Sequence, residues 1–147
     1  MDASIEAVRV AGTPDGPVPV VLLSVPGETD VLPIFVGFDE ARSIAMGMDA
    51  RDIGRPMTHD LTLDIIEELG GRITRVVVSD LEDGTYIADL HIDTPRDGVV
   101  VDARPSDSLA LAARTNTPVE IADHVFDASS EPPDEYEKLD DIREVMG

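Results

Sequence analysis

The chain has 147 residues, of which 42% are hydrophobic and only 3% aromatic, so one globular domain with a largely aliphatic core is expected. It contains no cysteine, which excludes disulfides, thiolate metal sites and a cysteine nucleophile. No apolar run approaches the ~20 residues that a membrane span needs. The amino terminus lacks the pattern of a signal peptide, so we expect a cytoplasmic protein with no membrane association.

The charge is strongly acidic, with 31 acidic against 11 basic residues and a formal net charge of −20. Lys138 is the single lysine. One interpretation is the solvated surface of a halophilic protein, since the Debye length falls to about 3 Å in molar salt and self-repulsion is screened. The other is an acidic face for a basic partner. The acidic residues are scattered along the chain, which favours the first interpretation.

The first part of the chain predicts three strands and a helix. Loose alternation from Ser4 to Ala11, a β-branched run from Val18 to Val25 and a third apolar run from Val31 to Val36 indicate strands separated by Pro/Gly turns. Asp39 is predicted to cap the helix that follows. Apolar residues share one face of that helix: Ala41, Ile44, Ala45 and Met48.

A second helix is predicted after a loop from Arg51 to Pro56. Thr58 has the side chain of an N-cap, and Gly70-Gly71 ends the helical pattern. The apolar residues of this helix form a stripe: Leu61, Ile65, Ile66 and Leu69. We therefore expect this face to pack against the core.

The remaining pattern predicts a hairpin and a second strand–turn–helix unit. Arg72 to Leu81 and Thr85 to Asp93 flank an Asp83-Gly84 turn, which is a strong hairpin signal. Val99 to Val101 then predicts a strand that leads, through Pro105, into a helix capped by Ser106 and ending near Asn116. Val119 to Ala122 predicts a short last strand.

Hairpins beside strand–turn–helix units predict an α+β fold with a mixed, mostly antiparallel sheet. The unit at residues 31–48 and the one at 99–116 have the same order of elements, which indicates an internal duplication. Residues 1–127 are predicted to form the domain. After the linker at 129–133, residues 128–147 are predicted to be an acidic C-terminal tail, peripheral or partly mobile.

Three segments in this order resemble motifs of the bifunctional nuclease domain family: residues 55–61 (Arg-Pro-Met-Thr-His-Asp-Leu), 80–88 (Asp-Leu-Glu-Asp-Gly-Thr-Tyr-Ile-Ala) and 102–112 (Asp-Ala-Arg-Pro-Ser-Asp-Ser-Leu-Ala-Leu-Ala). Residues 32–37 and the helix at 41–48 also match its pattern. The resemblance covers roughly residues 4 to 127. It implies an α+β fold with an internal repeat, a homo-oligomer and cleavage of both DNA and RNA.

The first candidate site is the strand–helix junction that holds Asp102, Arg104 and Asp107. Phosphodiester hydrolysis needs an activated water and stabilisation of charge on the phosphate. Carboxylates that hold Mg²⁺ or Mn²⁺ supply the first, and an arginine fork helps with the second. A purely structural interpretation is equally open: Asp107 complements the helix dipole, Ser106 caps the helix and Arg104 pairs with Asp102.

The second candidate site is the start of the predicted second helix. His59 is the best choice among three histidines for proton transfer, with Asp60 beside it as a further metal ligand. Arg55, just upstream, is placed to bind a phosphate. The alternative is an exposed histidine at a capped helix start with no chemical role.

Weaker candidates are Asp89, His91 and Asp93, which share one face of a predicted strand. A strand with one polar and one apolar face explains that pattern better than a metal site does. Asp80 and Asp83 are explained better as turn residues than as metal ligands. His124 carries no functional prediction.

The leading hypothesis is a nuclease that hydrolyses DNA and/or RNA with a divalent metal held by Asp102, Asp107 and Asp60. His59 would move protons, while Arg55 and Arg104 would bind phosphate. The alternative is a non-enzymatic, acidic, oligomeric interaction or regulatory module on the same fold. An arginine patch beside Asp107 favours the enzyme, because a net charge of −20 otherwise repels a polyanion. Arginines all engaged in buried ion pairs favour the module.

Overall fold

The computed structural model describes residues 1–50 and 55–146. Its strands are β1 (Asp2–Thr13), β2 (Gly16–Ser24), β3 (Val31–Phe35), β4 (Arg72–Glu82), β5 (Thr85–Asp93), β6 (Gly98–Ala103), β7 (Val119–Ile121) and β8 (Asp140–Asp141). Its helices are α1 (Phe38–Met48), α2 (Thr58–Glu68), α3 (Pro105–Thr115), α4 (Asp123–Ser129), α5 (Asp134–Glu137) and α6 (Ile142–Met146). None of these described helices is long and apolar enough to cross a bilayer.

The strands form one sheet built from two similar halves. Its spatial order is β3-β2-β1-β7-β4-β5-β6, with β8 paired to β1. Each half is an antiparallel three-stranded meander followed by a helix: β1, β2 and β3 lead to α1, and β4, β5 and β6 lead to α3. Between them, β7 pairs antiparallel with β1 and parallel with β4. The predicted α+β fold and its strand–turn–helix duplication are confirmed.

The hairpin of the second half follows from its turn residues. Asp83 and Gly84 both have positive φ, 50° and 81°, which is the backbone of a type I′ turn and suits the twist of paired strands. The first half turns at Gly16, whose φ is 112°. These turns set the register next to each turn, and irregularities at Ile5/Ala7 in β1 and at Ile73/Arg75 and Val78/Asp80 in β4 shift it farther along the strands.

The main core lies between the sheet and the two repeated helices. α1 packs against α3, and both cover one face of the sheet with small and aliphatic side chains. Gly47 permits the close approach, because a Cβ there would lie 2.9 Å from Arg114 Nη1 and 3.1 Å from Ala113 Cβ. Fully buried residues include Leu23, Leu32, Ile44, Val76, Val78, Leu109 and Ile121.

The predicted N-caps were wrong by one or two residues. The first helical bonds run from the Ala41 amide to the Gly37 carbonyl (2.9 Å), from Leu61 to Met57 (2.8 Å) and from Ser108 to Arg104 (3.1 Å). The N-caps are therefore Gly37, Met57 and Arg104, while the predicted Asp39, Thr58 and Ser106 lie in the first turn. The extended backbone of Gly37, and that of Arg104 before Pro105, starts a helix without a capping hydroxyl. The predicted loop at Arg51–Pro56 falls partly on 51–54, outside the described residues.

The apolar stripe predicted for α2 faces solvent instead of the core. Leu61 and Ile65 are each 51% exposed and Leu69 is 76% exposed, whereas Ile66 packs against the core. The edge strand β6 also exposes apolar side chains, those of Val99, Val100 and Val101. Within the described chain β6 has no strand on its outer side. An exposed apolar helix face and an open strand edge are each a surface that favours association.

The C-terminal segment, which the sequence predicted to be peripheral or partly mobile, packs on the sheet. Glu131 exchanges two backbone hydrogen bonds of 2.8 Å with Val31, and β8 pairs with β1. Tyr136 and Leu139 pack on a second cluster of buried residues from β1, β2 and β3. Ile142 is 1% exposed. This segment covers the face of the first meander that α1 leaves open.

Candidate functional site

His59 lies where the starts of α2 and α3 meet the middle of α1. Its Nδ1 is 2.6 Å from Ser43 Oγ and its Nε2 is 2.8 Å from Asp107 Oδ1. A carboxylate only accepts, so Nε2 of the neutral ring carries the hydrogen and Nδ1 accepts the Ser43 hydroxyl proton. Only 13% of the His59 side chain is exposed. The imidazole is therefore held in one orientation by partners on two other helices.

Arg104 completes the environment of Asp107. Its Nε donates to Oδ2 at 2.8 Å and its Nη2 donates to Oδ1 at 3.2 Å. Burial alone would raise the pKa of Asp107, but hydrogen bonds from Arg104 and His59 outweigh it and hold that pKa below its usual value. Asp107 is thus a stable carboxylate beside His59. The predicted Arg104–Asp102 pair is not the one formed, because Arg104 contacts Asp107 and, at 3.7 Å, Glu40.

A second arginine supports the site from behind. The Arg114 side chain is 8% exposed, and its Nε donates to Asp60 Oδ1 at 2.7 Å. Its other nitrogens donate to the Ser43 carbonyl (2.9 Å), the Ala110 carbonyl (2.9 Å) and Ser43 Oγ (3.1 Å). Burial opposes ionisation of Asp60, yet bonds from Arg114 and the Met57 amide hold its pKa below the usual value. Asp60 and Arg114 therefore fix α2 against α1 and α3.

The His59 site opens into a cavity of about 390 Å³. Two arginines, Arg42 and Arg104, stand on its wall with His59 and Asp107. The Arg104 side chain is 65% exposed, and its Nη1 makes no hydrogen bond to the described residues. These two guanidinium groups are placed to bind an anion next to the imidazole.

A larger cavity of about 870 Å³ adjoins the first and shares Glu40 and Arg104 with it. It runs between the two repeated strand–helix junctions and is bounded on one side by the β4–β5 turn. Two aromatic residues, Phe35 and Tyr86, lie on its wall. The Tyr86 hydroxyl donates to the Pro33 carbonyl at 3.2 Å, which fixes that ring. The two cavities together form one cleft, with Arg104 between them.

The structure brings together four of the six predicted site residues. His59 and Asp107 are hydrogen-bonded, Arg104 holds Asp107, and Asp60 reaches the same network through Arg114 and Ser43. Asp102, on β6 opposite Asp89 of β5, lines the larger cavity but makes no hydrogen bond to the His59 network within the described residues. Arg55 is exposed in the bend before α2 and lines neither part of the cleft.

The carboxylate oxygens of the three predicted metal ligands do not converge on one point. Asp107 is engaged by Arg104 and His59, Asp60 by Arg114, and Asp102 lies on another element. Across residues 1–50 and 55–146, no group of three or more His, Cys, Asp or Glu is arranged to hold a metal ion. Asp60, Asp102 and Asp107 in this arrangement do not fit a shared Mg²⁺ or Mn²⁺ ion. The requirement for a divalent metal stays a prediction.

The weaker candidates lie outside the cleft. Asp80 accepts hydrogen bonds from the Leu81 amide and from His124 (3.2 Å), which lower the pKa of its carboxyl. Asp83 is the first residue of the β4–β5 turn. Asp89 and His91 lie on one face of β5, and the buried Ala88 and Leu90 lie on the other. This is the arrangement expected of a strand with one polar and one apolar face.

Sequence reasoning missed Ser43, Arg114 and Arg42. Ser43 is a buried polar residue on an otherwise apolar helix face, which is a signal that a partner exists but not which one. Arg114 sits in the last turn of α3, where an arginine is ordinarily explained by the helix dipole. Its true partners are 54 and 71 residues away in the chain.

Comparison with known proteins decides the family. A model of the bifunctional nuclease domain matches residues 20–134. The chain belongs to the bifunctional nuclease domain family. The resemblance drawn from the three motifs is thereby confirmed.

Two mycobacterial relatives are 40% identical to the chain over 108 residues. They are "Uncharacterized protein MT1877" of Mycobacterium tuberculosis strain CDC 1551 / Oshkosh and "Uncharacterized protein Rv1829" of strain ATCC 25618 / H37Rv. In each case the alignment covers 74% of this chain and 64% of the relative. The chain therefore spans less than two thirds of the length of these relatives.

Proposed function

We propose that the protein hydrolyses phosphodiester bonds in DNA and/or RNA at the cleft around His59. The observation that carries this proposal is the His59 imidazole, held by the Asp107 carboxylate in a cavity lined by two arginines. A buried carboxylate–histidine pair is the usual arrangement for proton transfer near neutral pH. Membership of the bifunctional nuclease domain family supports the same reaction class.

Each residue of the cleft has a role in this scheme. The Ser43 hydroxyl passes its proton to Nδ1 and takes one from the attacking water, so the serine stays neutral, while Asp107 accepts from Nε2 and stabilises the imidazolium that forms. The hydroxide then bonds to phosphorus as the bond to the leaving oxygen breaks, and the imidazolium returns its proton to that oxygen by the same route. Arg104 donates its unoccupied Nη1 to a phosphate oxygen, and Arg42 supplies a second positive charge on the same wall. Asp39 and Glu40 lie on the same wall, so the two arginines act on a phosphate at close range and do not reverse the acidity of the cleft.

The test is a cleavage assay on single- and double-stranded DNA and RNA in molar KCl, with and without Mg²⁺ or Mn²⁺. We expect cleavage by the wild type and a loss of at least 10²-fold in His59→Ala, in keeping with general acid–base catalysis. His124→Ala is the matched control, because His124 is 67% exposed and lines neither cavity, so its loss should leave the rate unchanged. A chelator arm tests the proposed dependence on a divalent metal separately.

Two results contradict the proposal. No cleavage of any substrate under any of these conditions overturns the nuclease assignment. Cleavage that persists at the wild-type rate in a folded His59→Ala variant overturns the assignment of the site.

The second candidate function is an oligomeric interaction module, supported by the exposed apolar face of α2 and the open edge of β6. The run Val99, Val100 and Val101 is exposed and carries no charge, although the net charge of the chain is −20. Antiparallel pairing of two β6 edges would satisfy their backbone groups and cover these valines. We propose this homo-oligomer alongside the nuclease, since Val99, Val100 and Val101 lie outside the two cavities, although Asp102 and Ala103 at the end of β6 line the larger one.

A further inference from the structure

The larger part of the cleft carries an aromatic residue that the hydrolytic scheme does not use. Phe35 ends β3 and is 54% exposed, although the chain has only three phenylalanines. It stands on the wall of the 870 Å³ cavity with Tyr86. Large exposed aromatic side chains on an acidic surface are uncommon and favour a binding role.

The size and polarity of this cavity limit what it can hold. A volume of 870 Å³ lies within the range of about 300–1,000 Å³ that small-molecule sites occupy. Glu40 and Asp102 lie on its wall and repel an anion, whereas Arg104 stands at the boundary with the His59 cavity. A ligand that fits both properties has a flat uncharged ring for the larger cavity and a phosphate for Arg104.

We propose that Phe35 is the stacking platform for one nucleobase of a single-stranded nucleic acid, next to the phosphate held at Arg104. This subsite rests on the nuclease function proposed above and adds its substrate class. Every base has a π-face, so stacking on Phe35 tolerates any sequence. A base within a duplex is already stacked, and its extrusion costs a few kcal/mol, so single strands bind in preference.

The acidity of the chain makes stacking the main source of affinity. Two arginines give only a small electrostatic contribution, and log K should fall with log[salt] by about 0.7 for each phosphate contact to a single strand. Binding through Phe35 does not depend on counterions and persists in molar KCl. A net charge of −20 is therefore compatible with a nucleic acid ligand at this subsite.

The experiment is fluorescence anisotropy with a labelled phosphorothioate oligodeoxynucleotide of eight residues, in molar KCl with chelator. Phe35→Ala should weaken binding by about 5- to 150-fold, the range that stacking of one base spans. Phe35→Trp should restore affinity to within twofold of the wild type. Phe38→Ala is the matched control, because Phe38 is 41% exposed but does not line the cavity, and it should leave affinity unchanged.

The outcomes separate this inference from the proposed nuclease. If Phe35→Ala binds within twofold of the wild type, or if the matching duplex binds as tightly as the single strand, the stacking subsite is wrong, while His59-dependent cleavage still supports the nuclease. If the wild type neither binds nor cleaves nucleic acid, both are overturned. Equal losses in Phe35→Ala and Phe38→Ala also overturn the assignment to this cavity.

Discussion

Asp107→Asn tests the central contact of the cleft with the smallest change of shape. In the wild type, Oδ1 accepts from His59 Nε2 and from Arg104 Nη2, while Oδ2 accepts from Arg104 Nε. An asparagine has one accepting oxygen and one donating amide nitrogen. In either orientation the amide therefore places N–H groups against a donor of His59 or of Arg104. With the amide nitrogen in the place of Oδ1, it opposes both His59 Nε2–H and Arg104 Nη2 and favours the other tautomer of the ring; in the place of Oδ2, it opposes Arg104 Nε. In both orientations the ion pair is lost, because asparagine is neutral.

The size of the effect follows from these contacts and their exposure. Buried hydrogen bonds to charged groups contribute ~1.5–3 kcal/mol each, but Asp107 is 34% exposed and Arg104 65% exposed, so solvent reduces the value. We expect a loss of about 1–2 kcal/mol in the free energy of unfolding, or roughly 3–8 °C in melting temperature. The cleavage rate should fall much further, by about 10²- to 10⁴-fold, because a carboxylate-to-amide change beside a catalytic histidine misorients its proton.

Thermal unfolding and single-turnover cleavage of the same preparations measure the two effects. Asp64→Asn is the matched control, since Asp64 is an exposed residue of α2 and the same chemical change there should alter neither value. A folded Asp107→Asn variant with wild-type rate and melting temperature would refute the reasoning about the His59–Asp107 contact. A stability loss without a rate loss would assign the contact to the fold alone.

Three further predictions concern pH, salt and assembly. The pKa values of Asp60 and Asp107 are lowered from 3.8, so their stabilisation is complete above that unfolded-state value and is lost as pH falls below it. Urea unfolding between pH 3 and 6 should show this loss, with a shallower slope in Asp107→Asn; equal slopes contradict it. Screening of the net charge should raise the unfolding midpoint from low to molar KCl, and an unchanged midpoint contradicts a halophilic protein. Light scattering in high salt should give a mass above that of the 15.8 kDa monomer. Val100→Lys should lower this mass, whereas the control Val145→Lys, at an exposed position of α6, should not change it. A monomeric wild type refutes the β6 interface.

Local patterns were sufficient for most of the fold. The Asp83-Gly84 turn specifies positive φ at both positions, which few alternatives satisfy, and so it predicts both the hairpin and its register. The β-branched runs and the Asn116 C-cap likewise depend on neighbouring residues only. Helix starts were less predictable, because extended backbone at Gly37 or before Pro105 begins a helix without a capping side chain.

The parts that failed depend on residues far apart in the chain. Periodicity predicts that α2 is amphipathic, but whether another element covers Leu61 and Ile65 depends on the tertiary packing, and both are 51% exposed. The acidic composition of residues 128–147 is typical of a mobile tail, yet Tyr136, Leu139 and Ile142 suffice to anchor it. In the cleft, the sequence predicted His59 and Asp107 separately. The two residues are 48 positions apart in the sequence and meet only because α1, α2 and α3 pack together.

The position of β7 has a consequence for how the chain is made. Each meander and its helix are assembled from contiguous segments, so each half can fold as it emerges during synthesis. Among the described strands, β7 alone pairs with a strand of each half, through Asp2 and Ala3 of β1 and through residues 76–78 of β4. The sheet therefore stays in two pieces until residue 121 has left the ribosome. Until then each piece exposes the inner edge that β7 will cover, and a nascent chain stalled before that point is the form most prone to pair with a copy of itself.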